Sequence, residues 1–236
     1  MLAQLSDPHI RLGEGEREAA EALAHAVAAV VALDPVPDAV LLTGDLANGG
    51  DGREYALVKE LIAPLTMPVY AVPGNHDIAE PFAHAFGPPE FAVDVDDIRL
   101  VGVDTSIPGE DGGRIDLQRL DAHLEQSDRP TIVAMHHAPI FTGIPPMDAI
   151  GIRPDDVAGL KDLLARHPHV KRIVTGHVHR GITGTLGGVP VIACRSTHWQ
   201  LELDFHATEI KTNDDPPGYA LHLSRDGDIT SHVVAL

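Results

Sequence analysis

Ala39-Val40-Leu41-Leu42-Thr43-Gly44-Asp45 and Val69-Tyr70-Ala71-Val72-Pro73-Gly74-Asn75-His76-Asp77 are the two stretches that decide how this chain folds. Each is a short apolar run that stops at a glycine and then releases side chains able to bind ions. A run that is apolar throughout is the pattern of a strand covered on both faces. Polar groups straight after such a run stand at the strand's carboxyl end, the edge where open α/β sheets build their sites. Three further segments repeat the arrangement. Asp7-Pro8-His9 follows an opening strand at Leu2–Ser6, His136-His137 follows Thr131–Met135, and Gly176-His177-Val178-His179 follows Ile173–Thr175.

Between these runs the periodicity changes to helical. Glu16–Leu33 is expected as an amphipathic helix with Ala20, Leu23, Ala24, Val27, Val30 and Val31 on one face, ended by Pro35 and Pro37. Asp51 is placed to cap a helix carrying Tyr55, Leu57, Val58, Leu61 and Ile62, and Asp116 to cap one running through Glu125. Ile98–Val103 reads as a strand and Asp156–Arg166 as a helix. From Gly181 the pattern is hairpins: Ile182–Leu186 with Val189–Ala193 around Gly187-Gly188, then Tyr219–Ser224 with Ile229–Val234. Strands alternate with helices early and pair locally late. That argues for an α/β protein of two stacked sheets with helices outside, in a single domain over residues 1–236. Asp204–Gly218, polar and proline-containing, reads as an excursion from it.

A formal net charge of −18 works against nucleic-acid or anionic-membrane partners, since both recruit basic surfaces. A phosphate substrate remains compatible where bound cations reverse the local sign. The one cysteine, Cys194, excludes an internal disulfide and suits a reducing compartment. The first residues carry no basic, apolar leader, and no run approaches the ~20 apolar residues of a membrane helix, so a cytoplasmic protein is expected.

Asp7 and His9, two apart in extended chain, point the same way and suit one ion; His177 and His179 repeat the spacing. Asp45, on a glycine turn, is placed to lie between two cations, with Asn75 offering an amide oxygen and His136 an imidazole. The distribution expected is Asp7, His9, Asp45 and His179 on one metal and Asp45, Asn75, His136 and His177 on the other. Seven such ligands suffice for two adjacent ions and hydrolytic chemistry. Only two of them are carboxylates, so two divalent ions leave a formal +2, suited to one hydroxide and one phosphodiester anion.

The ordered set Asp7-x-His9, Gly44-Asp45, Gly74-Asn75-His76-Asp77, His136 and Gly176-His177-x-His179 resembles the calcineurin-like metallophosphoesterase superfamily over residues 7–179. Within it the chain is similar to bacterial class III cyclic nucleotide phosphodiesterases and related glycerophosphodiesterases. Gly113–Gln118, His136-His137-Ala138-Pro139 and Arg195-Ser196-Thr197 add to the likeness, while residues 45–54 lack the Asp-Arg-Gly continuation of protein Ser/Thr phosphatases. The resemblance implies a four-layer αββα sandwich, two Fe, Mn or Zn ions, and phosphoester hydrolysis by a metal-bridging hydroxide. It selects His136 over His137 as ligand. It makes His76 the group that stabilises the phosphoryl transition state and protonates the leaving alkoxide. Asp77 is left between orienting His76 and capping the next helix. Asn75 and His76 are expected to face substrate, and His198 beside Trp199 stands between packing and substrate contact. The loop Ile140–Pro154, with Met147 and Asp148, is expected to wall the pocket. The substrate implied is a cyclic nucleotide or a small alkyl or glycero phosphodiester. A phosphomonoesterase and a catalytically silent scaffold are the rival readings, and a homodimer would follow the family's habit.

Overall fold

The computed structural model describes residues 1–236. In chain order the elements are β1 (Leu2–Leu5), α1 (Glu16–Val31), β2 (Ala39–Thr43), α2 (Gly52–Leu61), β3 (Val69–Val72), α3 (Ala79–Phe86), β4 (Phe91–Val95) and β5 (Ile98–Gly102). There follow α4 (Leu117–Leu124), β6 (Thr131–Ala134), α5 (Pro145–Ala149), α6 (Pro154–Arg166), β7 (Val170–Thr175), β8 (Ile182–Leu186) and β9 (Val189–Ala193). The chain ends with β10 (Gln200–Leu201), β11 (Thr212–Asn213), β12 (Gly218–Arg225) and β13 (Asp228–Ala235).

The strands form two mixed sheets, ordered β13-β12-β1-β2-β3 and β4-β5-β6-β7-β9-β8. Within the first, β1, β2 and β3 run parallel; within the second, β5, β6, β7 and β9 do. The antiparallel members are the strands contributed by hairpins. Strand alternation sorts the core into three layers. Ala3, Leu5, Val40 and Leu42 face Leu23, Val27 and Val30 of α1 and Tyr55 and Val58 of α2. Their strand neighbours Leu2, Ala39 and Leu41 turn inward and meet Leu100, Ile132, Ala134 and Val174 of the second sheet. Val101, Val133 and Ile173 face Leu120 and Leu124 of α4 and Leu160 and Leu163 of α6. Helices, sheet, sheet, helices: the expected four layers are present. No helix is long and apolar enough to cross a membrane.

The local signals act as their chemistry requires. Asp51 accepts from Arg53 N while Glu54 bonds back to the Asp51 N–H, a capping box that starts α2. Asp116 accepts from Arg119 N to start α4. Elsewhere the structure corrects the sequence reading. The face of α1 is rotated: Ala19, Leu23, Ala26, Val27 and Val30 are buried, whereas Ala24 and Val31 face outward. α3 and β4 arise where none was expected, α6 begins two residues earlier, and the 140–154 loop contains α5. Segment 204–218 is tied back by β11 pairing with β10.

Candidate metal centre

Because β1, β2 and β3 are mutually parallel, as are β6 and β7, their carboxyl ends deliver the five segments to one edge of the sandwich. The segments are then laced together. Asp7 N donates to Gly44 O at 3.1 Å, His9 N to Asp45 O at 3.0 Å, and Gly176 N to His136 O at 3.0 Å. Ser196 Oγ donates to the Asp7 carbonyl at 2.7 Å.

Five of the seven candidate ligands leave the strands in an unusual conformation. Asp7 (φ 51°), His9 (45°), Asp45 (51°), His177 (66°) and His179 (47°) all lie in the left-handed region, which non-glycine residues seldom adopt and which costs on the order of 1–3 kcal/mol each. The extended-chain argument for Asp7/His9 and His177/His179 is therefore superseded. Side chains two apart converge or diverge according to these turns, and His177 and His179 go to different clusters. Two glycines admit the crowding. A Cβ on Gly44 (φ +88°) would lie 2.3 Å from His136 Nδ1, and one on Gly74 would lie 2.2 Å from Asp45 Oδ1.

One cluster is Asp7, His9, Asp45 and His179, all buried, each offering a donor atom within 4.8 Å of the others. His9 Nε2 lies 3.1 Å from His179 Nε2 and 3.4 Å from Asp45 Oδ2; His179 Nε2 lies 3.5 Å from Asp7 Oδ1. In the other, His136 Nε2 lies 3.1 Å from Asn75 Oδ1, 3.3 Å from His177 Nδ1 and 3.5 Å from Asp45 Oδ2. Asp45 Oδ2 thus stands between the clusters, while its Oδ1 accepts the His76 N–H at 3.0 Å.

The tautomers decide what these atoms can bind. A carbonyl can only accept, so His136 Nδ1–H donates to Thr43 O (2.8 Å) and His179 Nδ1–H to Trp199 O (3.0 Å). Both Nε2 lone pairs then face other acceptors, and Asp7 Oδ2 and His177 Nε2 are buried with no partner at all. Lone pairs aimed at lone pairs require a proton or a cation between them. Burial lowers His9 to about 3 and His177 well below its usual range, the latter helped by His137 and His136. On His136 burial acts downward too, but Asp45 and Asp7 overcome it and raise the group to about 9. Asp45 is likewise held well below the usual carboxylate range, because the imidazoles of His136, His9 and His76 outweigh its burial. Oxygen and imidazole donors with oriented outer N–H groups are the donor set of transition-metal sites, so these residues fit two ions.

His137 belongs to a different environment. Its Nδ1 accepts from Thr105 Oγ1 (2.8 Å), its Nε2–H donates to Asp111 O (3.1 Å), and its ring is edge-on to His136 at 88°. Although its imidazole lies close to His136 and His177, both nitrogens are engaged, which favours His136 as the donor. Asp77 takes neither of its expected roles. Its carboxylate accepts from Leu46 N, Ala47 N, Gly74 N and Tyr55 Oη at 2.9–3.2 Å, tying the two glycine turns together, and Ile78 occupies the cap of α3. His76 is oriented instead by the Asn48 carbonyl, 2.9 Å from its Nδ1. No side-chain pattern could have marked a backbone carbonyl.

A groove of about 330 Å³ lies over both clusters. His9, Asp45, Asn75, His76, His177 and His179 line it, with Met147, Ile150, Trp199, Leu201 and Ile210 as apolar walls. His198 is outside this lining. Trp199 takes the place, its ring 3.8 Å from that of His179.

The calcineurin-like phosphoesterase model matches residues 1–181. The chain belongs to this family. Among its relatives, a probable glycerophosphodiester phosphodiesterase, GpdQ, of Arcobacter nitrofigilis is 30% identical, covering 99% of this chain and 92% of its own. The 3′,5′-cyclic adenosine monophosphate phosphodiesterase CpdA of Pseudomonas aeruginosa is 32% identical, covering 99% and 89%. The purple acid phosphatase PPD1 of yellow lupin superposes with a TM-score of 0.68 at 14% identity over 99% of this chain and 51% of that one, a likeness of fold.

Proposed function

We propose that this family member is a metal-dependent phosphodiesterase acting on a small diester, either a 3′,5′-cyclic nucleotide or an alkyl or glycero phosphodiester. The observation that carries the reading is Asp45 Oδ2, placed between His9 of one cluster and His136 of the other. The relatives' names support diesters over monoesters. Asp7, His9, Asp45 and His179 would hold one ion and Asp45, Asn75, His136 and His177 the second, with Fe or Mn the preferred metals and Zn the alternative. When bound, such a pair supplies a water that ionises near neutral pH and positive charge for the phosphoryl oxygens.

The chain's own groups do the rest. His76 stands at the groove with Nδ1–H held by the Asn48 carbonyl, so Nε2 is the atom that gives a proton to the departing alkoxide. The amide of Asn75 fixes one edge of the groove, and Trp199, Met147 and Ile150 exclude water from the ester groups. The reading extends to a single domain over residues 1–236 and a cytoplasmic location, to which buried, unpaired Cys194 is suited. It also includes a homodimer and no nucleic-acid or membrane partner.

The test is a kinetic panel on Mn²⁺-reconstituted protein: 3′,5′-cAMP, 2′,3′-cAMP, glycerophosphodiesters and the corresponding monoesters. Diester turnover that disappears on chelation is expected. Turnover of monoesters with diesters untouched would replace the reading with a phosphomonoesterase; two bound ions without any turnover would leave a silent scaffold.

A further inference from the structure

A second cavity, about 260 Å³, lies against the groove, and Met147 and His177 line both spaces. Its remaining walls are largely apolar: Ile140, Phe141, Ile152, Val157 and Val178. Three polar side chains reach it: His177 from the metal centre, and Thr142 and Asp148, which are committed to one another. Asp148 Oδ1 accepts from Thr142 N and Oγ1, both at 2.8 Å, and Oδ2 accepts from Gly143 N at 3.0 Å. That knot fixes the turn carrying Phe141, which stands 85% exposed at the cavity's edge. The result is a preformed apolar space with no uncommitted charge, sharing a wall with a site built for an anion.

We propose that this cavity is an ester-group subsite: it receives an uncharged apolar substituent of the diester, a phenyl ring or a short alkyl chain, while the phosphoryl group lies over the two clusters. The proposal rests on the phosphodiesterase reading above. The size is adequate, because a cavity of about 150 Å³ accommodates benzene. The partition is suitable, because Met147 is unbranched and changes rotamer without moving the backbone. The selectivity follows from the lining. A nucleobase placed here would find only His177 unpaired among the lining side chains and would leave most of its donors and acceptors without partners, which is costly away from water. Hydrocarbon loses nothing there.

Two measurements test this. The first is kcat/KM for methyl, ethyl, butyl and phenyl 4-nitrophenyl phosphates with the Mn²⁺-loaded protein. A rise of about fourfold per added methylene is expected, the partition of one buried CH₂. In Val157→Phe, which fills the cavity, the butyl-to-methyl ratio should fall to about one. The second is independent of turnover: the methyl resonance of Met147 in methionine-labelled, Zn²⁺-loaded protein, assigned through Met147→Leu. It should move on adding phenyl phosphate and stay in place with inorganic phosphate. Diesters hydrolysed with a flat series and an unmoved Met147 would overturn the subsite and leave the activity standing. A moving Met147 with no diester turnover would uphold the subsite and remove the activity.

Discussion

The two sheets contribute opposite chemistry to the centre. The first supplies every oxygen donor, Asp7, Asp45 and Asn75, together with His9; the second supplies imidazoles only, His136, His177 and His179. The division continues below the site. The inward face of the first sheet carries Gln4, Thr43 and His222 among its apolar residues, whereas the facing part of the second is built from Leu100, Ile132, Ala134 and Val174. Carboxylates are held on one side and imidazoles dominate the other, and each of the two expected ligand sets draws on both sheets. The centre is therefore a property of the docked sandwich, and the asymmetry can be attacked from either side.

The largest effect is expected from the first sheet's shared carboxylate. Asp45→Ala removes the one oxygen that serves both clusters and unpairs His9, His136 and the His76 N–H. We expect kcat/KM to fall by at least about a thousandfold, on the scale of losing a central catalytic group, with both ions lost. Metal analysis by mass spectrometry checks it; retention of two ions would mean that the sheets do not share Asp45.

Next comes His76, which touches the groove from the first sheet but belongs to neither cluster. His76→Ala should lower kcat by roughly 10²–10⁴-fold for alkyl esters, the range for a lost general acid. The loss should be much smaller for 4-nitrophenyl esters, whose leaving group needs little protonation. Equal losses on both would show that His76 acts by binding.

Much of this division is legible in the chain before it folds, because the motifs that end β1, β2 and β3 are separated in sequence from those that end β6 and β7. The capping box at Asp51 and Glu54 and the Gly187-Gly188 hairpin are local signals and are visible as such. What is hidden has tertiary causes. α1 is rich in alanine, so Ala20 and Ala24 offer no contrast with Ala19 and Ala26, and the face is set by the sheet beneath. α3 has no side-chain cap at Ile78 and carries a proline at position 81. In β4 only Val95 is buried, which leaves little alternation to detect. The left-handed turns at Asp7, His9, Asp45, His177 and His179 occur at residues whose local preference is otherwise; the lattice of bonds around them imposes it. Asp77 finds its partners 22 to 31 positions away, at Tyr55, Ala47 and Leu46.

If the sheets are joined through the ions, removing metal should weaken the whole molecule. A ligand at a hundred times its dissociation constant adds about 2.7 kcal/mol to stability, which for a chain of this size corresponds to a melting shift of roughly 5–10 °C. Chelation followed by differential scanning calorimetry should show that loss, and Asp45→Ala should melt alike with and without chelator. An unchanged melting temperature on stripping the wild type would mean that the sandwich is indifferent to the ions.

The smallest expected effect comes from the polar seam on the first sheet. His222, 1% exposed, sits between Gln4 Oε1 (3.0 Å) and Ser231 Oγ (2.8 Å), while Gln4 Nε2 donates to Thr43 Oγ1 and to Thr175 O across the sandwich. Burial, aided by Arg172, pushes His222 down to about 3. The unfolded chain takes up a proton near 6.5 and the folded one does not, so stability is complete above that pH and declines as pH falls towards 3. The slope from this one group is about 1.4 kcal/mol per pH unit, so His222 should account for roughly that amount of the stability lost at pH 5.5 relative to neutral pH. Urea unfolding at the two pH values measures it. His222→Gln, which has no proton to gain, should be less stable at neutral pH but show a shallower pH slope. An equal slope in both proteins would place the acid sensitivity on the imidazoles of the metal centre instead.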